Sequence, residues 1–577
     1  MPRLLPVLRR RPVPEAPELE TLPPLLARIY ASRGIRSPDA LDLSLEALLA
    51  PALLKNVDEA AARLEQALQR QERVLIVGDF DADGATSTAL AVHALRAFGL
   101  DSVDYLVPNR FEYGYGLTPE IVALARSRDP DLIITVDNGI SSIDGVRAAN
   151  DAAIEVLVTD HHLPGRQLPE AAVIVNPNQA DCAFPSKALA GVGVIFYLLL
   201  ALRARLRESG AFAHGSRREP NLGAYLDLVA LGTVADVVPL DHNNRILVAA
   251  GLERIRRGRA RPGVAELLAV AGRDPARCVA SDLGFMVGPR LNAAGRLDDM
   301  SVGIECLLAR DVAQARRLAS ILDGMNRERQ RIERSMEEAA LAALERLELR
   351  ADDLPAALVL YDESWHQGVV GILASRLKER FHRPVIAFAQ AGDGLLKGSG
   401  RGLRGLHLRD LLDRVATENP GLVTRFGGHA MAAGLSLERT QFEAFRSAFL
   451  AAAEAAGAAE MEAILETDGR LRVEECDLAT AEMLRGAGPW GQHFPEPLFE
   501  GEFKLLSQRI VGERHLKLSL GHDDSSDPID AIAFSVDTER WPDLEVARVR
   551  VAYRLDVNEF RGRRTAQFLI EHLEALR

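Results

Sequence analysis

Apolar runs of strand length recur through the first half of this chain, and each ends in acidic or imidazole side chains. Residues 74–77 (VLIV) lead into Asp79, Asp81 and Asp83, residues 131–136 (DLIITV) into Asp137-Asn138-Gly139, and residues 154–159 (IEVLVT) into Asp160-His161-His162. Uninterrupted apolar runs of this length read as strands buried on both faces. Helical stretches separate them, one from Ala85 through Phe98 and another near residues 119–127. Such alternation specifies a parallel sheet with helices on both faces. The polar clusters then fall at the carboxyl edges of the strands, where α/β sheets place their chemistry.

Three carboxylates within five residues repel one another unless a divalent cation absorbs the charge. Helix capping offers a plainer account, and Asp83 before Gly84 suits it, but a cap needs one carboxylate and three are present. Hard, water-activating metals prefer an oxygen-rich shell, and added imidazole suits manganese. The adjacent histidines point the same way, because core packing explains one strand-end histidine and not two facing different ways. A fourth instance of the device follows in residues 226–240 (LDLVALGTVADVVPL), where Asp227 and Asp236 bracket an apolar stretch. A helix cap or an ion-pair partner would also explain one of these carboxylates.

With 577 residues, 47% hydrophobic and 26% charged, the chain is too long for one core and two to four domains are expected. No apolar run reaches membrane-spanning length, and proline interrupts the short arginine-bearing start, so neither a transmembrane helix nor a secretory signal is expected. Cys182, Cys278, Cys306 and Cys476 lack CxxC spacing, which favours a reducing cytoplasm over a disulfide framework or a zinc–thiolate site. The formal net charge is −13. A phosphate-binding track must therefore be local, with residues 254–261 (RIRRGRAR) and the arginines of 326–334 as candidates; a solvated helix face explains each cluster as well.

Residues 1–54 read as a helical accessory segment laid against the catalytic domain, 55–300 as the α/β catalytic domain, and 301–350 as one continuous connector helix. A second α/β domain spans 351–460, with strands at 356–361 and 384–389. There GSGRG (398–402) reads as a tight turn offering amides, a hydroxyl and the Arg401 fork. Residues 465–577 alternate short strands with polar turns, about right for a small antiparallel barrel.

The series GDFDADG, VDNG, TDHH and GTVAD resembles the four metal motifs of the DHH phosphoesterase superfamily. GPRLNAAGRL (288–297), WHQGVVGILASRL (365–377), KGSGRGLRGLHLRDLL (397–412) and FGGHAMAAGLSL (426–437) are similar to its RecJ branch, over residues 22 to 577. Gly402 departs from that pattern, standing where a serine is expected. The resemblance implies a C-terminal barrel of the OB-fold type. It also implies a metal-dependent exonuclease degrading single-stranded DNA 5′ to 3′ to mononucleotides in repair and recombination. Two divalent ions, manganese or magnesium, are implied as cofactors, held by Asp81, Asp83, Asp137, His161 and Asp236. Asp137 lies centrally and suits a bridging role, and Asp227 stands in reserve as last ligand. Asp79 would complete or orient the shell, and His162 would contact the phosphate or protonate the leaving group. Ser399, Arg401 and His429 are implied to grip the nucleotides beside the scissile bond, with Arg290, Asn292 and Arg296 as further phosphate contacts. The implied partners are single-strand-binding protein and a RecQ-type helicase, acting with a cytoplasmic monomer. Relatives acting on oligoribonucleotides or cyclic dinucleotides generally lack the barrel. A non-catalytic scaffold would not need the intact acid and histidine set.

Overall fold

The structure is a computed structural model and describes residues 6–109, 115–213, 218–346, 354–392, 394–523, 527–560 and 562–576. The acid-tipped runs form one parallel sheet in the order Val103–Leu106, Val74–Gly78, Leu132–Val136, Glu155–Thr159, Val173–Val175. Every residue of Val74–Gly78 and Leu132–Val136 is buried, as continuous apolar runs require. The chain leaves Val74–Gly78 for its neighbour at Val103, then crosses back to Leu132 on the other side. The carboxyl ends of the Val74 and Leu132 strands are therefore the point where strand order reverses, and an open α/β sheet forms its crevice there.

Two local readings are corrected at this edge. The helix after the first strand spans Ala82–Ala97, starting earlier than Ala85, because Asp81 caps it by accepting from the amides of Asp83 and Gly84. The capping carboxylate is thus Asp81, and Asp83 lies inside the first turn. The segment LDLVALGTVA is a helix, Leu226–Ala235, whose first eight residues are buried. A helix apolar all round lies in the core, and it delivers Asp236 at its C-cap.

The helix expected to run unbroken from Ser301 is two helices, Ser301–Leu308 and Val312–Arg346. Asp311 restarts it by accepting from the Gln314 amide at 2.9 Å. The second helix has 35 residues, about 52 Å of rise. Residues 347–350 of the expected connector lie outside the described residues.

The chain groups into two compact units, Arg10–Gly324 with Thr467–Arg577, and Met1–Arg9 with Met325–Glu466. The latter contains a five-stranded sheet in the order Arg425–Gly428, Ala432–Glu438, Leu395–Arg401, Val385–Gln390, Leu358–Tyr361. The GSGRG segment is therefore mostly strand and not a tight turn: Ser399 pairs with Ala387 and Gly434. Its glycines occupy the buried face, where a Cβ on Gly398 would lie 2.5 Å from the Phe388 ring. They fill the place of apolar side chains, which is why the strand has no apolar alternation to read.

Five strands, Phe499–Val511, His515–Gly521, Ile529–Ala533, Arg563–Leu576 and Arg548–Phe560, close into a barrel. Residues 1–54 are expected to lie against the catalytic domain, but the helix within them packs elsewhere. Helix Pro24–Ser32 sends Leu25 and Ile29 into the barrel's core beside Leu471, Phe499 and Phe503. Arg33, following it, pairs with buried Asp468 through two hydrogen bonds of 2.8 and 2.9 Å. Further on, Ala40 and Leu49 bond instead to Arg245 and Asn243 of the catalytic half.

Candidate active site

Asp137 leaves the central strand with φ at 61°, in the left-handed region that side-chain-bearing residues seldom enter. Its neighbour Asn138 donates to the carbonyls of Val77 and Val136, at 3.0 and 2.9 Å, tying the two strand ends together. Helix Gly191–Glu208 begins directly over Asp137. A Cβ on Gly191 would lie 2.6 Å from Asp137 Oδ1, so only glycine allows that approach. The first amides of the same helix bind Asp83, with Gly191 donating at 2.6 Å and Val192 at 2.9 Å. A helix N-terminus thus offsets part of the buried acidic charge.

Three sets of side chains converge here: Asp79 with Asp81 and Asp137, Asp83 with His161 and Asp236, and Asp137 with His161 and His162. Within each set the donor atoms lie within 4.8 Å of one another. Burial, reinforced by Asp81, raises the Asp83 carboxyl to about 7. Burial first, then neighbouring carboxylates, pushes Asp137 and Asp236 well above their ordinary range. His161 is driven the other way, to about 4, by burial and by the charge of His162, so its imidazole is neutral. It bonds to the Leu189 backbone, which leaves Nε2 pointing at Asp137 Oδ1 at 3.1 Å and at Asp236 Oδ2 at 3.5 Å. Among the described residues neither Nε2 nor Asp137 Oδ1 has a hydrogen-bond partner, and both are buried. Lone pairs facing each other in this way are repulsive unless a cation lies between them, so the residues present fit divalent metal.

Asp160 plays a different part from its neighbours. It accepts from the Ile140 amide at 2.9 Å, from the amides of His161 and His162, and from His162 Nδ1 at 2.7 Å. Burial works against the His162 imidazolium, but the Asp160 hydrogen bond and charge outweigh it and lift His162 to about 9. Asp160 therefore orients one histidine and keeps it charged beside a neutral one. Tyr115 stands next to His162, its hydroxyl 3.3 Å from Nδ1 and 3.3 Å from the Asp137 carbonyl oxygen. The sequence marks Asp160 within the Asp160-His161-His162 cluster without giving it a role, and it does not mark Tyr115 at all. The Asp160 signal lay in its place before the histidine pair.

The remaining expected site residues divide. Asp227 is at the far end of its helix from Asp236, accepting from the Arg261 amide at 2.6 Å with Arg254 at 3.8 Å, so it is an internal ion-pair partner and not a reserve ligand. Arg290 is engaged by Asp323 through Nε at 2.9 Å and by the Met286 carbonyl at 2.6 Å, which sets it inside the fold and not on a phosphate track. Asn292 accepts from the Ala82 amide at 2.8 Å, positioning the turn that carries Asp81 and Asp83. Arg296 lies on the same helix, Gly288–Leu297. In the 254–261 cluster Arg256 binds the Cys278 carbonyl and Arg261 covers the Tyr225 ring. Arg329 and Arg331 are paired with Glu333 and Glu328. Each basic cluster thus has members committed within the fold.

In the unit Met1–Arg9 with Met325–Glu466, the structure brings Ser399, Arg401 and His429 to one end of the sheet. Arg401 pairs with Ala432, and His429 lies in the turn just before it. Arg401 donates to Ser375 Oγ, Ser399 Oγ and the Gly400 carbonyl, at 3.1, 3.1 and 2.8 Å. Burial alone lowers its guanidinium from the ordinary value.

The parallel sheet with the buried acid–imidazole cluster at its reversal point falls within the residues matched by the DHH family model. The family model for the DHH family, N-terminal domain, matches residues 73–233, the DHHA1 domain residues 355–455 and the RecJ OB domain residues 467–572. The single-stranded-DNA-specific exonuclease RecJ of Dickeya dadantii is 60% identical over 98% of both chains, and that of Escherichia coli is 56% identical over 98% of both. The crystal structure of RecJ from Thermus thermophilus in complex with Mn2+ superposes with a TM-score of 0.79 at 32% identity, covering 99% of this chain and 80% of that one. The same protein is also known in complex with Mg2+. The chain belongs to the RecJ family of single-stranded-DNA-specific exonucleases.

Proposed function

We infer that this protein is a metal-dependent exonuclease that degrades single-stranded DNA from the 5′ end to mononucleotides, in DNA repair and recombination. The observation that carries the reading is the buried pair His161 Nε2 and Asp137 Oδ1, without hydrogen-bond partners among the described residues, within a chain 60% identical to a named exonuclease of this kind. Manganese or magnesium ions, once bound, would offset the charge of the phosphodiester and activate the attacking water. Asp81, Asp83, Asp137, His161 and Asp236 are assigned as ligands, with Asp79 completing the acidic set. Asp160 holds His162 as an imidazolium, able to donate to a phosphate oxygen or to give its proton to the departing 3′ oxygen. Asn292 and the Gly191 helix hold Asp83 and its turn in place.

The direct test is incubation with manganese and single-stranded DNA labelled at one end. Release of a 5′ label as mononucleotide before internal label supports the reading, and release from the 3′ end overturns it. The two histidines should then separate. His161→Ala is expected to shift half-maximal activity to roughly 100-fold more metal and to recover at saturation. His162→Ala should lose about 10²- to 10⁴-fold in kcat with no recovery. Equal rescue of both, read in metal titrations, would overturn this division.

In the same reading the enzyme acts as a cytoplasmic monomer alongside single-strand-binding protein and a RecQ-type helicase. Four free cysteines accord with a reducing compartment. No helix among the described residues is long and apolar enough to cross a membrane.

A further inference from the structure

Phe285 is 76% exposed, against 58% for Phe534 and 47% for Tyr115. It lies in the π-helical turn Asp282–Val287, where Asp282, Leu283 and Val287 are all buried. Single π turns insert an extra residue into a helix and recur at functional sites. Here the widened turn is seated on the helix that delivers Asp236. A Cβ on Gly284 would lie 3.0 Å from Val234 Cγ1, and one on Gly288 would lie 3.1 Å from the Ala235 Cβ. Val234 and Ala235 directly precede Asp236. The helix that follows, Gly288–Leu297, reaches the turn that carries Asp81 and Asp83, where Asn292 accepts from the Ala82 amide. The segment is thus fixed at both ends to residues adjoining metal ligands, and the side chain it turns outward is a bare aromatic ring. Val237, immediately after Asp236, is 62% exposed, so apolar surface borders the ligand itself.

We propose that Phe285 is a stacking platform for one nucleobase of the single strand beside the scissile nucleotide, an inference that rests on the nuclease reading above. A protein-docking patch needs several hundred square ångströms of apolar surface, whereas Phe285 is the single exposed residue in the stretch 281–290. One ring matches the π-face that every base presents, and stacking of this kind tolerates any sequence. It positions the strand through its bases, which duplex pairing would hide.

The test uses the full-length enzyme with manganese and 5′-phosphorylated strands carrying one abasic nucleotide at each of the first five positions in turn. In the wild type, one position should raise KM by roughly 5- to 150-fold, the range for losing one base–aromatic stack. Phe285→Ala should raise KM on the intact strand by a similar factor and show no added penalty at that position. Phe285→Trp should restore both behaviours, and Phe285→Leu should not. A penalty that persists in Phe285→Ala, or a Phe285→Ala enzyme with wild-type KM on the intact strand, overturns the proposal. A wild-type protein that leaves single-stranded DNA intact would instead overturn the nuclease reading, so the two failures are distinct.

Discussion

Replacing Asp137 by asparagine or alanine is expected to abolish hydrolysis, lowering kcat by about 10³-fold or more, while the metal-free protein stays folded. Asp137 belongs to two of the three converging sets of donors, so two of them lose a member at once. Its carboxyl is held well above the ordinary range by burial and by Asp83, Asp81 and Asp236. A carboxyl whose folded pKa is raised costs stability as pH rises above its unfolded pKa of about 3.9, and below that value the cost is absent. Without metal at pH 7, Asp137→Asn should therefore melt at or above the wild type, and the difference should vanish below about pH 4. Asparagine is the cleaner variant because it tolerates φ near 61° better than alanine. Manganese should then raise the wild-type melting temperature and leave that of the variant nearly unchanged. Calorimetry with and without manganese checks both signs. Near wild-type turnover at saturating manganese would remove Asp137 from the site.

The strands carrying this chemistry were legible because each is buried on both faces and reads as an unbroken apolar run. Asp137, His161 and His162 could be found because they directly follow such runs. Partners far away in sequence could not be read. The amides that hold Asp83 come from Gly191 and Val192, more than a hundred residues on, and Asn292 caps a helix that begins at Ala82. The role of Arg290 depended on Asp323, which nothing local announces. Helix Pro24–Ser32 shows the same limit: its apolar stripe demands a partner, but periodicity does not say that the barrel supplies it. Removing residues 467–577 would therefore strip the cover from Leu25 and Ile29, which makes truncation a poor probe of the barrel. GSGRG was misread for a different reason. Glycine marks a turn when its dihedrals demand it, and here it marks a strand packed too closely for a side chain.

Arg401→Ala should abolish most of a preference for 5′-phosphorylated over 5′-hydroxyl strands. Arg401 is the candidate whose surroundings suit an anion. Its hydrogen-bond partners are the neutral oxygens of Ser375, Ser399 and Gly400, and among the described residues no acid offsets the burial that lowers its pKa. A buried guanidinium held that way is costly until an anion meets it. The first turn of helix Val370–Phe381 adjoins the same place, since a Cβ on Gly371 would lie 2.9 Å from Ser399 Oγ and 3.0 Å from an Arg401 terminal nitrogen. Helix N-termini bind phosphate through free amides and the helix dipole. Arg290 lacks these advantages because Asp323 already neutralises it. Loss of a charge-assisted bidentate contact is worth about 1.5–3 kcal/mol, or roughly 10- to 150-fold in binding. The ratio of kcat/KM for phosphorylated and hydroxyl strands should fall by that factor in Arg401→Ala and by less in Ser399→Ala, which removes a neutral donor. A preference surviving undiminished in Arg401→Ala would move end recognition to another cation, with Arg296 next to be tested.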